Sequence, residues 1–144
     1  MHDATITLFN LHQRTGNWYP TIFHHVSLTE AKADSATADA GIKNGDTIEV
    51  IIRTAADKSN TESGVKVQYV GPKAYAAMEN PVGYFTFATE QDFFFVGNSA
   101  SGIVSDDDYD EGFYHAMNKE HDGVYLVQSA AFYSLIPHFE IGGR

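Results

Sequence analysis

The sequence predicts an all-β fold: a small β-barrel or sandwich with one or two short helices and long loops. Short stretches alternate apolar and polar side chains with a period of two residues. Polar turns rich in Gly, Asn, Asp and Ser separate them. No regular strand–helix–strand alternation runs through the chain, which argues against a doubly wound sheet. With 144 residues the chain is expected to form one domain, residues 1–144, large enough to bury a core without staples.

"ATITLFN" places Ile6 and Leu8 on one face and Thr5 and Thr7 on the other. "WYPTIFHHVSL" is β-rich, and its Pro20 suggests an edge strand or a strand start. "DTIEVIIR" sets Ile48, Val50 and Ile52 opposite Thr47, Glu49 and Ile51. The polar "TAADKSNTESG", Thr54 to Gly64, is expected as a mobile hairpin loop. "GVKVQYV" alternates through Val65, Val67 and Tyr69, and "PKAYAAMEN" suits about two helical turns with Pro72 at the first position. "GYFTFA" and "DFFFVG" read as a hairpin around "TEQD", their aromatic residues packing a core rather than stacking bases or sugars. "DEGFYHAMNKEH" allows a short helix with Phe113 and Met117 four apart. "GVYLVQSAAFY" and "LIPHFEIGG" supply the last two strands, and the final glycines are read as letting the chain pass close to a neighbouring backbone.

Composition narrows the function classes. The chain has no cysteine, so disulfides, cysteine-ligated zinc and thiol catalysis are excluded. A formal net charge of −10 disfavours wrapping nucleic acid, though not an acidic surface past which DNA slides. No apolar run reaches a membrane span, and "MHDATITLFN" lacks the regions of a signal peptide, so no membrane partner is expected.

The acid-rich "SDDDYDEGFYHAMNKEHDG" tests a metal reading. Asp106, Asp108 and Asp110 fit the first positions of a calcium loop. Position six is then Glu111, Gly112 comes one residue late, and Met117 occupies the place of the bidentate Glu. An exposed acidic loop is the favoured reading. His24 and His25 are neighbours on a strand and point to opposite faces, one expected at the core edge and one exposed. His115, His121 and His138 lie on different elements. No nucleophile elbow, P-loop or metalloprotease motif occurs. No catalytic residue, metal or cofactor is therefore assigned, and the protein is expected not to be an enzyme.

Several segments, taken in order, resemble a family of small proteins from the structural modules of tailed phages infecting Gram-positive bacteria. They are "ITLFN", "YPTIFHHVS", "DAGIKNGDTIEVIIR", "PKAYAAMENPVGYFTFATEQDFFFVGN" and the ending "VYLVQSAAFYSLIPHFEIGGR". The ending is the most specific: Phe139, Glu140, Ile141, Gly142, Gly143 and Arg144 follow the family's pattern, with Phe139 where a Trp is usual. A Gly is usual where His25 stands, and a Gly-Asp turn where Gln91-Asp92 stands. The layout is also similar to the head-completion proteins of long-tailed phages, often called stoppers.

The resemblance implies a virion protein, assembled in the host cytoplasm, that forms a homo-oligomeric ring of six or twelve copies. Such a ring would sit below the portal and adaptor ring, close the channel on packaged DNA without reading its sequence, and dock the tail through a tail-completion protein. A tail-completion or terminator protein, a capsid decoration protein and, from a different class, a hydrolase using the acidic stretch are the alternatives. The resemblance also implies that the channel plug lies between two consecutive barrel strands, here Leu28 to Asp46. From Thr29 to Asp46 the only large apolar side chain is Ile42. Thr29, Lys32, Asp34, Ser35, Asp39, Lys43 and Asp46 are the candidate gating residues, the lysines approaching phosphates and the acids limiting adhesion. An ordinary surface loop, or a helix packed beside the barrel, is the equal alternative for this segment.

Overall fold

The computed structural model of the protein describes residues 3–31, 47–99 and 102–144. Six strands close a β-barrel: β1 (Ala4–His12), β2 (Asn17–Ala31), β3 (Thr47–Arg53), β7 (Phe93–Val96), β9 (Val124–Tyr133) and β10 (His138–Gly143). Their order around the barrel is β1-β7-β9-β10-β3-β2, and β2 returns to β1, every pair antiparallel. Of the two all-β architectures expected, barrel or sandwich, the barrel is the fold found, with two short α-helices among the described residues. Three short strands, β4 (Ser59–Asn60), β5 (Val67–Tyr69) and β6 (Tyr84–Phe85), form a separate small sheet, and β8 (Val104–Ser105) pairs with the start of β2.

The two long strands make the barrel's corners. β2 pairs with β1 as far as Val26 and with β3 from Ser27 onward. Between Ala4 and Ile6 of β1 the register shifts by one residue, so His24 and His25 together oppose Thr5. Such a bulge bends a strand and sharpens its twist. His25 takes φ 58° there, a left-handed conformation that costs a residue with a Cβ roughly 1–2 kcal/mol. Its ring meets Asp3 at 2.6 Å in an exposed pair, while His24 shares a hydrogen bond with the Thr5 hydroxyl at 3.1 Å. The core-edge and exposed assignments of the two histidines therefore hold, although a bulge rather than plain alternation separates them. His25→Gly is expected to raise stability by up to about 1 kcal/mol. A denaturant melt showing a loss would mean that the Asp3 contact outweighs the backbone strain.

The barrel interior is filled by Ile6, Leu8, Phe23, Val26, Ile48, Val50, Ile52, Phe94, Val127, Phe139 and Ile141, with Phe85 and Phe87 completing the same cluster. It is a packed core, not a pore. The outer face is buried as well where α2 (Phe113–Glu120) covers it. Phe9, Trp18, Phe93 and Val124 meet Phe113 and Met117 of that helix, the pair expected from their spacing. Asp106 fixes this helix from outside. Its Oδ1 accepts the Trp18 indole N–H at 2.8 Å and the Phe113 backbone N–H at 2.9 Å. Asp107, Asp108, Asp110 and Glu111 are exposed as anticipated; Asp106 departs from the solvated-loop reading, and its bonds are structural.

Three other expectations need correction. The segments around Tyr84–Phe85 and Phe93–Val96 do not form a hairpin: β6 runs parallel to β5, and β7 lies between β1 and β9. A tight turn, with Asp92 N–H donating to the Ala88 carbonyl at 2.9 Å and Glu90 at φ 63°, redirects the chain. The strand expected from Gly64 forms only at Val67–Tyr69, and Val65 is exposed. The Thr54–Gly64 loop is tied down rather than free. Its Ser59 and Asn60 are buried, Asp57 Oδ1 accepts the Ser59 hydroxyl and amide at 2.6 and 3.0 Å, and Asn60 Nδ2 donates to the Arg53 carbonyl at 3.0 Å. Those Ser59 bonds hold the Asp57 carboxyl below its ordinary pKa. α1 (Pro72–Ala77) starts at Pro72, as expected.

Candidate functional site

The candidate region is the barrel rim where β2 ends and β3 begins. The register pairs Ala31 with Thr47, Glu30 with Ile48 and Thr29 with Glu49. Ala31 and Thr47, the described residues that flank positions 32–46, are therefore paired on adjacent strands. Of the gating candidates, Thr29 is exposed on β2 at this rim. Lys32, Asp34, Ser35, Asp39, Lys43 and Asp46 lie outside the described residues.

Alternation along β3 gives the rim its chemistry. Ile48, Val50 and Ile52 point into the core, which turns Thr47 and Glu49 outward. Glu30 accepts a hydrogen bond from the Tyr125 hydroxyl at 2.8 Å, a link from β9 to β2 at this end. A cleft of about 490 Å³ at the foot of the segment is lined by Thr29, Thr47, Glu49, Gln128 and Arg144, among others. A second cleft of about 690 Å³ shares Gln128 and Arg144 with it and adds Glu90, Tyr114, Asn118 and Asp122. Burial raises the Tyr114 hydroxyl above its ordinary pKa. Among the described residues lining the two clefts, the carboxylates of Glu49, Glu90 and Asp122 outnumber the one guanidinium, that of Arg144, so a polyanion would meet repulsion from them. Sequence reading missed Glu49, Gln128 and Arg144 as rim residues, although the outward positions of "TIEVII" signal the first.

A buried polar node lies where the end of β1 meets the turn before β7. Asp92, fully buried, accepts the Leu11 N–H at 3.0 Å, the Ala88 N–H at 2.9 Å and Asn10 Nδ2 at 2.8 Å. Asn10 Nδ2 also donates to the Thr86 carbonyl at 2.6 Å. Burial pushes the Asp92 carboxyl up to about 6, against the pull of these donors. Nearby, His12 Nε2 donates to the Met78 carbonyl at 2.7 Å, anchoring the end of α1. The signal was present in "LFNLH", where an Asn and a His interrupt an apolar run.

Among the described residues no group of three His, Asp or Glu lies close enough to hold a metal ion. His138 bonds Glu140 at 3.0 Å and the Ile136 carbonyl at 2.6 Å, which raises its pKa, the Glu140 bond contributing most. No described helix is long and apolar enough to cross a membrane.

Residues 1–144 match the model of a family described as a family of unknown function, DUF6751. No curated protein and no solved structure matches the chain.

Proposed function

We propose that this chain, which belongs to the DUF6751 family, is a structural subunit of a phage head–tail connector. It works as a homo-oligomeric ring of six or twelve copies below the portal and adaptor, with a tail-completion protein on its other side. The reading rests on the sequence resemblance together with one observation. The long segment of small and polar residues, 32–46, is anchored at both ends on one barrel rim by the Ala31–Thr47 pair. A segment held in this way can reach away from the barrel without loosening it, because β3 is also clamped by β10 from Ile48 to Arg53.

The filled core bears on where DNA could pass. The barrel's interior holds side chains, so a channel must lie between copies, which requires a closed ring. The exposed rim carboxylates Glu30 and Glu49 then suit a surface past which phosphates slide without adhering. The role is structural, in the virion, and needs neither cofactor nor catalysis.

The test is a deletion of Ser35 to Ala40 in the phage that encodes the protein. The variant is expected to fold, as judged by its melting curve, while filled heads lose their DNA. Heads that retain DNA and join tails normally would remove the segment from the gate. Imaging of virions checks the location: density spread over the shell would instead make the protein a decoration protein, and density confined to the tail end a terminator.

A further inference from the structure

Among the described residues, a stretch of open strand edge on the barrel lacks the usual protection. β9 pairs with β10 from Val127 to Tyr133, but with β7 only from Val124 to Leu126. Val127 still sends its N–H and C=O to the Asp92 carbonyl and the Glu90 amide. Beyond it, among the described residues, no strand pairs with the outer edge of β9. The register shift at Gly142/Gly143 leaves Gln128 as an extra residue, after which Ala130 and Phe132 turn their backbone groups to that open side.

Natural proteins blunt such edges with charge, proline or a covering element. β2, the other corner strand, carries Pro20. From Gly123 to Phe139 the chain has no Asp, Glu, Lys or Arg, and its one proline, Pro137, lies beyond β9 in the turn. Ser129, Ala130 and Ala131 are small and exposed. The turn that follows exposes Leu135 at 95% and Ile136 at 72%.

We propose that this edge is a pairing surface for a second copy of the chain, β9 against β9 in antiparallel register about a two-fold axis at Ala131. Charge selects both the place and the occupant. Two copies of a chain with net charge −10 repel over most of their surfaces, and this edge, whose own residues carry no Asp, Glu, Lys or Arg and whose Phe132 ring has the Lys58 ammonium 5.0 Å over it, is where their approach costs least. Ala130 of each copy then exchanges backbone hydrogen bonds with Phe132 of the other, and Ala131 faces its own counterpart. Cβ atoms across such a pair stand about 4.5–5.5 Å apart, a distance that alanines accept. Glu140, opposite Ala131 on β10, is one strand further out, so the two copies' Glu140 carboxylates lie beyond a screening length of about 8 Å. The contact is isologous and separate from the head-to-tail contact on which a ring closes. Its failure would leave the connector reading untouched, and the reverse also holds.

Sedimentation of the full chain over a range of concentrations tests it. The wild type is expected to pass from monomer to dimer as concentration rises. Ala131→Lys, which puts two ammonium groups on the axis, should weaken the dimer by at least about tenfold. Its circular dichroism and melting curve should be unchanged, since the new lysine lies across from Glu140. Amide exchange at Ala130 and Phe132 that slows with concentration in the wild type reads the same contact without a substitution. A wild type that stays monomeric to high micromolar concentration, a dimer indifferent to Ala131→Lys, or concentration-independent exchange at both amides would overturn the proposal.

Discussion

Asp92→Ala is expected to destabilise the protein by about 3 kcal/mol near pH 5, because one buried and two half-buried donors lose their acceptor at roughly 1–3 kcal/mol each. Those donors are the amides of Leu11 and Ala88 and the side chain of Asn10. They belong to β1 and to the turn before β7, so the loss loosens the β1–β7 seam itself. The pH dependence has a definite sign. Burial raises the Asp92 carboxyl from 3.8 to about 6, so the folded state holds its proton more tightly than the unfolded state does. The wild type therefore gains from this group at low pH, and it loses that gain as pH rises from about 4 through about 6. Between about pH 5 and pH 8 the wild type should lose on the order of 1 kcal/mol through Asp92. The variant lacks this term, so the gap between the two proteins narrows as pH rises. Denaturant melts of both proteins at the two pH values read it directly. A gap that widens with pH would mean that the carboxylate's donors outweigh its burial.

The same node marks where sequence reading succeeds and where it stops. β1, β2, β3, β9 and β10 were legible because each sets one face against the core, and a period of two records that. The hairpin expected around "TEQD" failed because its outcome depends on a contact 82 positions apart, Asn10 with Asp92. No local propensity carries such information. The aromatics of "DFFFVG" were expected to pack a core, yet Phe93 faces outward beside Phe9 and is buried by α2, so amphipathic strands alone could not place it. The Thr54–Gly64 loop was read from its polarity. Its polar side chains are spent on its own backbone, as with Asp57 and Ser59. At the candidate site, composition marked the segment after Leu28 and the register located its feet. The clefts beside it draw on Gln128 and Arg144, far along the chain, which no spacing rule connects to Thr29.

The terminal glycines were read as a close-approach device, and space rather than backbone conformation now separates their roles. A Cβ on Gly143 would stand 2.7 and 2.8 Å from two ring carbons of Phe94 and 3.0 Å from the Cβ of Tyr125. Phe94 is buried in the barrel core and stacks on Tyr125 at 5.7 Å, so neither neighbour can yield without moving a strand. A Cβ on Gly142 meets only the Ser129 hydroxyl oxygen closely, at 2.5 Å, and that exposed side chain can rotate to another staggered position. Gly143→Ala should therefore cost about 1–3 kcal/mol by overpacking. Gly142→Ala should be near neutral, the small clash offset by about 0.4–1 kcal/mol of reduced unfolded-state entropy. Equal losses in the two variants would assign both glycines to the backbone. A neutral Gly143→Ala would mean that the Phe94–Tyr125 stack yields, and with it the β9 corner through which Tyr125 reaches Glu30 on the rim.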